Sequence, residues 1–143
     1  MEFLAVEKIL GGKKILHKQI KNRMDLIELC KIGITKGALL HLAKYLDVTM
    51  HQIADFLSIT ERTVQRYSLE TRFKRVVSEQ ILHIAEVAAK GSEVFQDRDK
   101  FIKWLNFPNK ALGEKTPISL LDSTFGADMV IEELGRIEHG LFA

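Results

Sequence analysis

Trp104-Leu105-Asn106-Phe107-Pro108-Asn109-Lys110-Ala111-Leu112-Gly113, running on through Thr116-Pro117-Ile118-Ser119-Leu120-Leu121-Asp122, is the stretch whose reading decides the fold. Both prolines of the chain fall inside it. Proline fixes φ and has no N–H to donate, so each proline stops or starts a helix and does not sit inside one. Thr116-Pro117 predicts a helix opening, with the threonine hydroxyl as cap, and a short helix through about Leu121. Gly126 reads as punctuation. After it, Met129, Val130, Glu133-Leu134 and Ile137 recur at three- and four-residue spacing, the apolar stripe of a last helix ending near His139 with Gly140 as its stop. By spacing alone this is a compact helical subdomain; Leu141-Phe142-Ala143 beyond it also has the character of a plug for a partner.

Upstream the signals are helical again. Phe95, Phe101, Ile102, Trp104 and Leu105 predict one helical stretch, and Phe73 to Ala89 another, ended by Gly91-Ser92. Residues 36–46 predict a core helix, and Thr49 caps a second one through Leu57. Thr60 then caps a third from Glu61 to about Ser68. The spacing is that of a helix-turn-helix: small Ala54 where helices cross, a tight turn at Ser58, and Val64 facing inward. Serine at that turn, in place of glycine, costs of order 1 kcal/mol in a left-handed conformation. With Val64 inward, a 100° wheel puts Arg62 and Arg66 outward with Thr63 and Gln65 on the flanks. Arginine pairs with guanine, glutamine with adenine, and the threonine methyl packs on thymine. Thr60 and Gln52 stand at helix starts, where backbone phosphate is contacted. An ordinary helical hairpin is the plainer alternative.

Net charge supports a division of labour. The overall +2 conceals a basic half, with fourteen Lys and Arg against eight Asp and Glu up to Arg75, and an acidic half with seven against eleven. A polyanion-facing end joined to a protein-facing end fits that split. Residues 1–34 are expected to be a basic arm with short helices, broken at Gly11-Gly12 and Gly33. The lone Cys30 forms no internal disulfide and reads as a small buried apolar residue. No apolar run nears the roughly 20 residues that span a bilayer, and no signal peptide is evident, so the expected location is the cytoplasm.

The run Trp-Leu-x-x-Pro-Asn-x-Ala-Leu-Gly, then Thr-Pro-x-x-Leu-Leu-Asp, then Arg-Ile-x-x-Gly, resembles the toxin-binding domain of the Xre/MbcA/ParS family of antitoxins. Glu114 departs from it, standing where a second glycine is usual. The resemblance, which covers roughly residues 32–140, implies an all-α chain with a helix-turn-helix domain at 35–91 and a helical toxin-binding domain at 92–143, preceded by the arm at 1–34. It implies an antitoxin that holds an NAD-consuming RES-domain toxin inactive and, as a homodimer, represses its own operon through operator DNA. Trp104, Asn109, Arg136, Gly140, Leu141, Phe142 and Ala143 are the expected toxin contacts.

No nucleophile elbow, phosphate-cradling loop or short metal-ligand spacing occurs, so neither enzyme activity nor a metal or cofactor is expected. Asp97 and Asp99 are better explained as helix caps than as an acid and base. The runner-up is a stand-alone regulator with no toxin partner.

Overall fold

The computed structural model describes residues 2–140 and is all-α. Its elements in order are α1 (Glu2–Ile9), α2 (Lys13–Leu16), α3 (Arg23–Ile32), α4 (Lys36–Leu46), α5 (Met50–Phe56), α6 (Glu61–Arg66), α7 (Arg75–Phe95), α8 (Arg98–Leu105), two 3-10 turns (Lys110–Leu112 and Pro117–Leu120) and α9 (Thr124–Glu138). Among the described residues no helix is long and apolar enough to cross a membrane.

The longest helix, α7, is the axis on which the others pack. α9, α1, α3, α4 and α8 all lie against it. Its Ile81, Ile84, Ala85, Val87 and Ala88 are fully buried, so almost its whole circumference is covered, as expected of a helix apolar on more than one face.

Residues 2–34, the segment read as a basic arm with short helices, pack into the core. Val6, Leu10, Leu16 and Ile20 belong to the same core, and the buried Glu7 carboxylate accepts the Ile20 N–H at 2.9 Å. That bond closes the loop around α2 over α1, and it satisfies a polar group that burial would otherwise penalise. Short apolar segments broken by glycine concealed this role, because their stripe is completed against α7 and α4, far along the chain. Cys30 is buried at the rim of this core, and burial raises its thiol pKa.

Two glycines expected to end helices do the opposite. Gly91 sits inside α7, which runs unbroken to Phe95; a Cβ there would lie 2.1 Å from the Phe101 ring. Gly126 sits in the first turn of α9, where a Cβ would lie 1.9 Å from the Leu120 carbonyl oxygen. Both are contact glycines, required because another element approaches the helix too closely for a side chain. The helix actually stops at Gln96, a non-glycine residue in the left-handed region, and α9 starts at Ser123, whose hydroxyl takes the Gly126 N–H at 2.9 Å. The boundary expected at 91/92 therefore falls within a continuous helix.

After Pro117 the turn is 3-10, and the Thr116 side chain makes no cap bond. The buried Gln80 amide of α7 instead donates to Leu121 O at 2.8 Å and fixes the turn's end.

Gly91→Ala is expected to cost 1–3 kcal/mol, roughly, the usual penalty for overpacking, measured as a lower urea midpoint with helical content retained. Adding Phe101→Leu should recover part of that loss; an additive double variant would show that the ring does not set the requirement. A second expectation concerns the turn after α8. Glu114 follows Gly113 with a second consecutive left-handed φ, 66° after 69°, so Glu114→Gly should raise stability by about 1 kcal/mol in the same measurement.

Candidate functional site

The helix-turn-helix is built from α5, the turn at 57–59 and α6. Ala54 is 1% exposed at the crossing and its carbonyl accepts the N–H groups of Leu57 and Ile59, which makes the turn tight. Ser58 takes φ 56°, the left-handed conformation the tight turn demands. Val64, fully buried, pins α6 to the core.

Caps set the two helix starts. Thr49 and Gln52 form a reciprocal box, the Thr49 hydroxyl accepting the Gln52 N–H at 3.1 Å and Gln52 Oε1 accepting the Thr49 N–H at 2.9 Å. Gln52 thus spends its carbonyl on the cap and keeps its amide donors exposed, the end a phosphate oxygen would need. The Thr60 hydroxyl accepts the Thr63 N–H at 3.0 Å, and the two hydroxyls lie 2.8 Å apart. Gln65 Nε2 reaches Glu61 at 3.4 Å.

α6 is shorter than its sequence suggests, because Tyr67 turns extended and packs its ring 5.1 Å from Phe73. Gln52, Thr60, Thr63, Gln65, Arg62 and Arg66 all arise from this one unit, and the two arginines are exposed one turn apart.

Lys36, which no local signal marks, secures the far end of α6. Its Nζ donates to Tyr67 O at 2.9 Å and lies 3.5 Å from Gln65 O, so a cation sits on the negative end of the helix. The partner is 31 positions away, beyond what a local pattern can show.

The second site is organised around α8 and the end of α9. Asp97 caps α8 by accepting the Lys100 N–H at 3.2 Å, as expected. Arg98 reaches across to α4, donating to Tyr45 O and Lys44 O at 2.8 Å each. One side chain thereby caps the last turn of α4 and joins the two halves.

Trp104 is half-buried, its ring 5.8 Å from Phe95 and 6.3 Å from Phe101, with one side left to solvent. Phe107, next to it in the loop, is 72% exposed, a large apolar surface that the motif's variable position hid. Asn109 folds its own turn: Oδ1 accepts the Ala111 N–H at 2.8 Å and its backbone pairs with Lys115. Its side chain shapes the loop from within.

On α9, Arg136 Nε and Nη2 both lie 2.8 Å from Glu133 Oε1, so the guanidinium neutralises a carboxylate that is 4% exposed. Removing the arginine alone would strand a buried charge. Gly140 ends the helix with φ 69°. Leu141, Phe142 and Ala143 lie outside the described residues.

Residues 32–86 match the model of the antitoxin Xre-like helix-turn-helix domain, and residues 90–140 match that of the antitoxin Xre/MbcA/ParS C-terminal toxin-binding domain. The chain belongs to the Xre/MbcA/ParS antitoxin family. Both matches meet inside α7, so in this family member a single helix carries the end of one domain and the start of the other.

Two relatives are named Antitoxin Xre. One, from Yersinia enterocolitica, is 29% identical over 82% of this chain and 81% of its own length. The other, from Photorhabdus laumondii, is 34% identical over 61% of this chain and 62% of its own length. Among solved structures, a chain of the M. tuberculosis MbcT–MbcA toxin–antitoxin complex shares the fold at a TM-score of 0.58 and 20% identity, over 76% of this antitoxin and 96% of that chain.

The last turn of α9 is held to α7 by charge. Lys90 Nζ lies 2.6 Å from Glu138 and 3.3 Å from Glu93. The bond from Lys90 holds the Glu138 carboxyl below its ordinary pKa, and the bond to Glu138 lifts the Lys90 ammonium above its own. A depressed carboxyl stabilises the fold above its unfolded pKa and loses that as pH falls through its folded one. A raised ammonium stabilises below its unfolded pKa and loses that as pH rises through its folded one. The pair is therefore complete at neutral pH. Lys90→Met should lower the urea midpoint there, with the gap to the parent closing on acidification below the ordinary glutamate range. A gap independent of pH would assign the effect to packing of the lysine stem.

Proposed function

We propose that this antitoxin neutralises an NAD-consuming RES-domain toxin through residues 92–143, and that as a homodimer it represses its own operon by binding operator DNA through α5 and α6, within residues 35–91. The observation that carries the reading is the order of the two matched domains on one shared helix. A DNA-reading unit and a protein-binding unit that share a helix suit a molecule that senses its partner at its own promoter.

On the toxin side, the contacts are the open side of Trp104, the loop shaped by Asn109, the last turn of α9 at Arg136 and Gly140, and Leu141, Phe142 and Ala143 entering the toxin's cleft. On the DNA side, Arg62 and Arg66 read base edges. Thr63 and Gln65 support them from the flanks, and Gln52 and Thr60 hold the phosphates beside the groove. A single α6 of six residues covers too few base pairs for specificity, which is why two copies are required. The expected location is the cytoplasm, where operator and toxin substrate both reside.

Cutting the chain at residue 90 would sever α7, so the test uses whole chains. The full chain, co-expressed with the product of the adjacent reading frame, should capture it and restore host growth, and a version ending at His139 should lose both. Capture that survives this deletion removes the tail from the mechanism, and no capture by the full chain overturns the antitoxin function. In parallel, Arg62→Ala should weaken binding to the upstream DNA by about tenfold or more while leaving capture intact. Unchanged binding would remove α6 from the DNA interface.

A further inference from the structure

The basic residues of the first 31 positions precede both matched domains, and their placement gives them a role of their own. A groove beside the segment that follows α6 is lined by Lys14, His17, His41, Leu69 and Glu70, among others. A second groove is lined by Lys8, His41, Lys44 and Arg98. His41 lines both, so the two grooves adjoin on the face of α4 where α1 and α2 pack against it, and together they are termed the channel. Among the described residues, Glu70 is the only carboxylate lining either groove; Asp99, 4.0 Å from Arg98 Nη1, stands at the far end.

The channel continues the DNA-reading unit. The segment that follows α6 is bonded to the start of α4, with the Gly37 N–H on Leu69 O at 2.9 Å and the Lys36 N–H on Thr71 O at 3.0 Å. From there the basic residues follow α4 for its eleven residues, about 16 Å at 1.5 Å per residue. Phosphates of one DNA strand recur every ~3.4 Å of axis, so the length suffices for several. Not every nearby cation is available: Lys18 is neutralised by Asp25 at 3.5 Å and Glu28 at 3.3 Å. Lys8, Lys14 and Lys44, in contrast, are exposed along the channel.

We propose that this channel is a second, sequence-independent DNA contact in which Lys8, Lys14 and Lys44 hold backbone phosphates flanking the half-site read by α6. The inference rests on operator binding by α5 and α6, and it extends the footprint beyond the helix-turn-helix into a segment that neither matched domain includes. Its chemistry is that of phosphate: point charges on flexible stems, without a base-reading side chain among them.

The test is the salt dependence of binding to a long duplex from upstream of the chain's own reading frame. Lys8→Ala/Lys14→Ala/Lys44→Ala should flatten the slope of log affinity against log salt by about 2 to 3, roughly 0.9 per phosphate contact. Lys103→Ala/Lys110→Ala/Lys115→Ala removes the same charge from exposed positions of the other half and should leave the slope close to the parent's. Lysine-to-arginine replacement at 8, 14 and 44 should preserve it. Equal flattening by both triple variants, or no flattening by the first while Arg62→Ala still weakens binding, would overturn the channel alone. Loss of toxin capture by the first variant with an unchanged slope would reassign the channel to the protein partner and overturn it as well. Failure of the parent chain to bind that duplex at any salt would overturn operator binding and the channel with it.

Discussion

The Phe101 ring lies against α7 so closely that position 91 has no space for a Cβ, and much of the architecture follows from that contact. It brings α8 onto the helix that also receives α1, α3, α4 and α9. A ring of this size buries a large area, and a glycine in a helix interior costs about 1 kcal/mol relative to alanine. The first outweighs the second, so the sequence keeps a residue that looks like a breaker in the middle of its longest helix. Gly126 repeats the solution where the Leu120 carbonyl meets α9.

What was legible in the sequence was whatever depends on neighbours in the chain. The helix-turn-helix was readable from Ala54, Ser58 and Val64 because its caps and turn operate over three or four residues, and Thr49, Thr60 and Asp97 cap as their types suggest. The all-α class and the stripe on α9 were readable for the same reason. Illegible was whatever is decided across the fold. Gly91 and Gly126 carry the signature of breakers, and only the ring and the carbonyl opposite them reveal contact glycines. The basic segment before α3 looked like an arm because α1 finds its main neighbour in α7, which begins only at Arg75.

The site divides in the same way. The outward arginines of α6 came from a helical wheel, while Lys36 on the end of that helix and Arg98 on the end of α4 act over 31 and 53 positions and left no local trace. Arg136 belongs to the motif, yet its Nε and Nη2 are engaged with buried Glu133, so its presence there has a structural reason alongside any contact with a partner. Asn109 is similar, since its carboxamide oxygen shapes the loop that displays Phe107.

The grip of Arg98 on the Lys44 and Tyr45 carbonyls gives the molecule a mechanical property. Those carbonyls end the helix whose first residue, Lys36, clamps the end of α6. α4 is thus bonded at both ends, to α8 of the C-terminal half through Arg98 and to the end of α6 through Lys36, which makes it a strut between the two halves as well as a core helix.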